Sequence, residues 1–139
     1  ALDRAGNLWM VTDRSSRSSA TDLFGNNGCW LLPRQGDAAG EALCFAIGPN
    51  ECELCGLALD PAERSLLLAV QHPGEANGTH QAGMEEVQAF ELEDRAGGRF
   101  SQLRQVSLGS NWPSGAPGRP PRPGVVVIRR LDGSALLKT

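Results

Sequence analysis

The sequence is 139 residues long, with a formal net charge of −3 and a pI near 5.3, so it carries no basic footprint for nucleic acid. That length bounds it to one domain or less, and its 40% hydrophobic content allows a packed core. No apolar run approaches the ~18 residues of a membrane helix, and seventeen glycines with nine prolines favour a turn-rich, all-β chain over helices.

Asp3–Asn7 reads as a turn, and Leu8–Thr12 as a strand with Trp9 and Val11 on one face. Asp13 ends that strand, where an aspartate ordinarily shapes a turn. Arg14–Asp22 is a serine-rich loop. Asn26-Asn27-Gly28 is a hairpin signal, followed by a strand over Cys29–Leu32 with Trp30 expected in the core. Glu41–Ile47 alternates as a third strand, with Leu43, Phe45 and Ile47 on one face. Three short-looped antiparallel strands make a meander, and repeated four-stranded meanders build β-propellers. The chain holds about eight or nine strand candidates, roughly two blades by that count.

Glu51–Glu75 is the stretch around which a site would form. Leu57–Asp60 and Ser65–Gln71 read as two strands, the second a candidate for burial on both faces. Asp60-Pro61-Ala62-Glu63 turns between them, with proline set for the second turn position. Glu51, Cys52, Glu53 and Cys55 precede the first strand, and His72 and Glu75 follow the second. A tight hairpin brings its outer ends together, so Glu53 and His72–Glu75 are expected at one rim of a sheet. Two readings stand open: a solvated polar turn after a strand, or carboxylates converging on a hard cation.

The four cysteines are Cys29, Cys44, Cys52 and Cys55. Cys52-Glu53-Leu54-Cys55 has the C-x-x-C spacing, but strand follows it where a redox motif needs a helix. Cys29 and Cys44 form no second close pair for zinc, and a disulfide requires an oxidising compartment. Asn77-Gly78-Thr79 fits a glycosylation acceptor. Met84–Glu93 suits either a strand or a short helix, and Phe100–Leu108 alternates weakly, so residues 76–110 look like an insertion. Asn111–Pro123 holds five prolines and is expected to be irregular. Within that loop Arg119 and Arg122 suit phosphate oxygens, although a solvated basic loop is the preferred reading, since charged loop residues are usually just solvated. Gly124–Arg130 reads as a central strand, Leu131–Ser134 as a turn, and Ala135–Lys138 as a returning last strand.

Gly48–Glu75 resembles a hallmark region of the PhoX family of bacterial alkaline phosphatases, keeping Gly48, Pro49, Cys52, Glu53, Gly56, Pro61 and the run Gln71-His72-Pro73-Gly74-Glu75. Gly6–Asp13 (GNLWMVTD) and Ser110–Pro113 (SNWP), with Arg122-Pro123-Gly124 and Val125–Arg130 beyond it, resemble further motifs of that family in order and spacing. Arg14 stands where the family usually has glycine, and Cys55 where it has threonine. The resemblance implies an all-β fold of partial β-propeller-like meander sheets, with residues 1–139 as a C-terminal fragment whose strand Ala1 merely enters. It implies a metal-dependent phosphate monoesterase, periplasmic or extracellular, monomeric at full length, using calcium and iron. It nominates Glu53, Asp13, Glu75 and His72 as metal ligands, carboxylates suiting Ca²⁺ and imidazole suiting iron, and the substrate is a small phosphate ester. A non-catalytic propeller module, or a calcium-dependent propeller lactonase, is the alternative.

Overall fold

The computed structural model describes residues 1–13, 26–76, 82–83 and 85–137. Among these it holds eight strands and no helix: β1 (Leu8–Val11), β2 (Gly28–Leu32), β3 (Leu43–Ile47), β4 (Glu53–Leu59), β5 (Ser65–Gln71), β6 (Glu85–Glu93), β7 (Arg99–Ser107) and β8 (Gly124–Arg129). Every pairing is antiparallel. β1-β2-β3 form one meander, β4-β5-β8 a second three-stranded sheet, and β6-β7 a hairpin of their own. The fold is therefore all-β, as composition suggested. The serine-rich loop and the Asn77–Thr79 motif fall outside the described residues.

The core lies between the two three-stranded sheets. Trp9, Cys29 and Leu31 enter from the first, and Leu54, Leu66, Leu68 and Val70 from the second. Trp9 meets the Phe45 ring edge-on, with centroids 4.9 Å apart, and its indole N–H donates to Asp3 Oδ2 at 3.1 Å. Asp3 also accepts from the backbone and side chain of Asn7. Burial pushes the Asp3 carboxyl up, but these hydrogen bonds outweigh it and hold it below its ordinary value. The Asp60–Glu63 turn closes β4 onto β5 as expected, Asp60 accepting from the backbone N–H of Ala62 and Ser65. Its far side is tied to the start of the chain, because Glu63 Oε1 accepts from the Arg4 backbone N–H.

Two sheets meet at Asn27. Its carboxamide is buried, donating to the Cys52 carbonyl at 2.8 Å and accepting from the Thr12 hydroxyl at 3.0 Å. Its own carbonyl accepts from Gly48 N–H at 2.8 Å. A little further on, Leu54 N–H donates to the Thr12 carbonyl. The Asn-Asn-Gly run, expected to serve a hairpin, thus fastens β1, β3 and β4 together.

Five expectations are corrected. Trp30 pairs with Met10 on the face away from the core, while Cys29 and Leu31 point inward with Trp9; strand phase, not side-chain size, decides. β4 begins at Glu53, earlier than the apolar run suggested, so Glu53 and Cys55 belong to the strand; a bulge after Cys55, at Gly56 with φ +57°, re-phases the remainder. β5 is buried on one face only: Leu66, Leu68 and Val70 are inside and Leu67 is exposed. β8 lies at the edge of its sheet, not its centre, with Val125 and Val127 exposed. Residues 135–137 form no strand; Leu136 N–H donates to the Glu63 carbonyl and the Leu136 side chain plugs the end of the core.

Insertion-like residues 76–110 contain the β6-β7 hairpin, so the strand alternative for Glu85–Glu93 holds over the helical one.

Urea denaturation should separate the two faces of the β4-β5-β8 sheet. Leu66→Ala should cost about 2–5 kcal/mol, because the side chain is fully enclosed. Val127→Ala, on the open face, should cost no more than about 1 kcal/mol. Equal losses would mean that both faces are packed.

Candidate functional site

Register places the hairpin's outer ends as the spacing required. Glu53 is directly opposite Gln71 and Cys55 opposite Ala69. Their side chains alternate with Leu54 and Val70, which face the core, so Glu53, Cys55 and Gln71 share the outer face of the sheet. Asp13 reaches the same place from β1 by way of the Thr12–Leu54 hydrogen bond. Burial, then the carboxylates of Glu53 and Asp13, push the Cys55 thiol above its ordinary range. Both carboxylates thus lie within electrostatic reach of that thiol.

A side-chain chain continues from there. Cys55 Sγ donates to Gln71 Oε1 at 3.1 Å, and Gln71 Nε2 lies 2.7 Å from His72 Nε2. An amide nitrogen donates, so this ring nitrogen accepts in the tautomer that satisfies both. His72 is thereby turned toward Gln71 instead of toward Asp13 and Glu53.

Glu75 lies on the other side of the turn. Its backbone N–H donates to the carbonyls of Glu51 and His72, and Gly74 N–H donates to the Asn50 carbonyl. Ser107 Oγ donates to the Gly74 carbonyl at 2.6 Å. The turn is thus held between Asn50-Glu51 and the end of β7. Glu51 and His72 both have left-handed backbone, φ +56° and +48°, a conformation that costs free energy in non-glycine residues and concentrates at functional sites. Gly74, at φ +81°, could carry no side chain in any case: a Cβ would lie 2.9 Å from Ser110 N and 3.0 Å from Ser107 Oγ.

Of the four nominated metal residues, Asp13 and Glu53 stand on chain segments joined by the Leu54 N–H to Thr12 carbonyl hydrogen bond, His72 is bonded to Gln71 in the adjoining turn, and Glu75 follows it. Among the described residues no group of three or more His, Cys, Asp or Glu gathers tightly enough to hold an ion. The donor set facing Cys55 is two carboxylates, hard oxygens in type but fewer than the ~6–8 that calcium takes. The phosphate candidates Arg119 and Arg122 lie elsewhere, in the proline loop packed against the β6-β7 hairpin; Gln88 Nε2 donates to the Gly118 carbonyl across that contact. Asn27, Gln71 and Ser107 escaped the sequence reading. The polar residue flanked by strand signals at Asn27 was the one hint available.

Cys29 and Cys52 are inert by environment. Burial raises each thiol from 9.0 to about 11, so each stays neutral at physiological pH.

A sequence model of the family described as alkaline phosphatase PhoX matches residues 1–74, which is more than half of the chain. The chain belongs to the PhoX family. Among solved structures it is similar to Pseudomonas fluorescens PhoX in complex with vanadate, a transition state analogue. Identity is 28%, the TM-score is 0.64, and the match covers 98% of this chain and 18% of that one. The PhoX chain described here therefore spans less than a fifth of the length of its structural relative. No curated protein matches it.

Two outcomes follow for this PhoX segment. At pH 8 a thiol reagent should modify exposed Cys44 readily, and Cys29 and Cys52 only on unfolding. Because both buried thiols titrate higher folded than unfolded, their contribution is complete below pH 9 and is lost as pH rises toward 11. The loss is roughly 2–3 kcal/mol per thiol, read as a falling urea midpoint; a flat midpoint across that window would refute the burial argument. Separately, calorimetry of the 139-residue chain with Ca²⁺ should give only weak binding, on the order of millimolar, since two carboxylates cannot complete the shell. A tight stoichiometric isotherm would show that they can.

Proposed function

We propose that the chain is the C-terminal portion of a larger, exported, propeller-type phosphatase that hydrolyses phosphate monoesters with the help of calcium and iron. The observation that carries this reading is the family match over residues 1–74, and it takes in both Asp13 and Glu53, whose strands are joined by the Leu54 N–H to Thr12 carbonyl hydrogen bond. Family membership and the vanadate complex of the similar Pseudomonas protein supply the reaction class. Periplasmic or extracellular placement and a monomeric full-length protein belong to the same reading.

In it, Asp13 and Glu53 hold a hard cation through carboxylate oxygens, and other donors come from the remainder of the longer chain. His72 is the nitrogen donor suited to iron once its ring is released from the Gln71 amide, whose N–H takes the Nε2 lone pair in this structure. Glu75 stands as a further carboxylate beyond the turn. Bound metal supplies charge neutralisation for the phosphate oxygens and for charge developing in the transition state. The protein's share is orientation. The Asn27 clamp fixes the two strand ends that carry Asp13 and Glu53, and the Asn50 and Ser107 hydrogen bonds fix the turn that carries His72 and Glu75.

The incomplete donor set favours a second reading for this chain by itself, a non-catalytic module. A chromogenic phosphate monoester, assayed with and without chelator, separates the two. In the full-length protein, Glu53→Gln should lower turnover by roughly 100-fold or more, beyond the ~10–100-fold typical of outer-sphere partners. Glu91→Gln, on the exposed hairpin, should change stability by no more than about 0.5 kcal/mol and leave turnover alone. Near-parental turnover of Glu53→Gln at every calcium concentration would remove Glu53 from the metal site.

A further inference from the structure

The chain carries net negative charge, yet three of its arginines line adjoining pockets of one cleft, Arg119 and Arg122 sharing one of them with Pro120, and no carboxylate is among the lining residues. The cleft runs between the β6-β7 hairpin and the proline loop. One part, of about 390 Å³, is walled by Phe90 and Leu92 of β6, Arg104 of β7, and Pro120, Pro121 and Arg122 of the loop. A second, of about 340 Å³, contains Arg119 and reaches Asn50, Gly109 and Ser110 beside the turn that carries His72 and Glu75. Val106 borders both parts, so they adjoin.

Its walls are chemically two-sided. Arg104 lies over the Phe90 ring, with Cζ 5.7 Å from the centroid, making a flat stacked surface. Two of its nitrogens are occupied by Gln102 Oε1. Neither Arg119 nor Arg122 is held in an ion pair among the described residues. The backbone under them is set: Arg122 N–H donates to the Trp112 carbonyl at 2.9 Å, and Arg119 N–H to that of Ala116 at 3.3 Å. Two uncommitted guanidiniums attract a doubly charged oxyanion and match its oxygens. Phe90, Leu92 and the two prolines offer apolar surface to whatever is attached to that oxyanion.

We propose that this cleft is a binding site for phosphate monoesters bearing an aromatic or apolar organic group, with Arg119 and Arg122 taking the phosphate and the Phe90–Pro120–Pro121 wall taking the organic part. The proposal rests on the phosphatase reading for its choice of ester. It names the substrate class, and it uses none of the residues nominated for metal.

The test is calorimetric titration of the 139-residue chain, with chelator present throughout, using phenyl phosphate, inorganic phosphate and phenol. Phenyl phosphate should bind at least about tenfold more tightly than either fragment, since each contributes a separate set of contacts. The Arg119→Gln/Arg122→Gln double variant should lose about tenfold or more, and Phe90→Ala should reduce phenyl phosphate binding while sparing inorganic phosphate. Arg95→Gln, at the hairpin tip, should change nothing. The exposed positions of the two loop arginines let the double variant fold, which its unfolding curve verifies. Equal affinities for phenyl phosphate and inorganic phosphate would overturn the apolar half. Binding unaffected by the double variant, or no binding, would overturn the site. Because chelator is present, these results are independent of any metal. Absence of monoester turnover by the full-length protein would instead overturn the phosphatase reading and leave the cleft standing.

Discussion

The buried carboxamide of Asn27 is the constraint on which the rest of the structure depends. Its two ends satisfy the Thr12 hydroxyl and the Cys52 carbonyl, and its backbone receives Gly48. Asp13 and Glu53 are each one residue beyond the groups it holds. A buried polar side chain is tolerable only when hydrogen-bonded, and a residue whose side chain and backbone together satisfy partners at three strand ends fixes their mutual position. The geometry about Cys55 is therefore set by packing inside the protein before any ligand arrives.

The β4-β5-β8 sheet divides its two faces sharply. Leu54, Leu66, Leu68 and Val70 are buried on one side. On the other, register puts Val127 beside Leu67 and Val125 beside Ala69, and all of this lies open below Glu53 and Cys55. An exposed apolar sheet face with one free edge is unusual for an isolated domain. The length of the Pseudomonas relative, more than five times the matched part, fits a fold in which neighbouring sheets cover such faces. Whatever covers this stripe necessarily also stands next to the carboxylates, which relates the open face to the short donor set.

Much of this was legible in the sequence where the signal was local. Asp60-Pro61 specified its turn, and the hairpin implied that Glu53 lies near His72–Glu75, but the pairing of Glu53 with Gln71 depends on a strand start and a bulge that the sequence did not show. Trp9 and its GNLW strand were read with the right face inward. Trp30 was not, because its phase is dictated by pairing with β1 and not by its own apolarity. Val125–Ile128 looked central because apolar runs mark strands buried on both faces, and composition cannot tell a covered face from one awaiting a neighbour. The returning strand after Gly133 failed for a related reason: Leu136 gains more by capping the core and meeting Glu63 than by extending a sheet edge. The candidate site divides likewise. Asp13 and Glu53 come from separate motifs whose meeting depends on Asn27, a residue that reads as turn material. Arg104 and Phe90 face Arg122 only because the hairpin folds onto the proline loop, a contact between segments that share no local pattern.

The left-handed backbone at Glu51 and His72 bears on how the site works. Both residues border the Pro73-Gly74 turn in a conformation uncommon outside glycine, which histidine adopts more readily than glutamate. The strain persists because Gly74 is pinned from both sides, by the Asn50 carbonyl and by Ser107. Gly109 leaves just enough room: a Cβ there would run into the Glu51 carboxylate. Such an arrangement exchanges stability for direction. The His72 ring is aimed at Gln71, and the Glu51 carboxylate at the β7 end, in a fixed geometry instead of a sampled one.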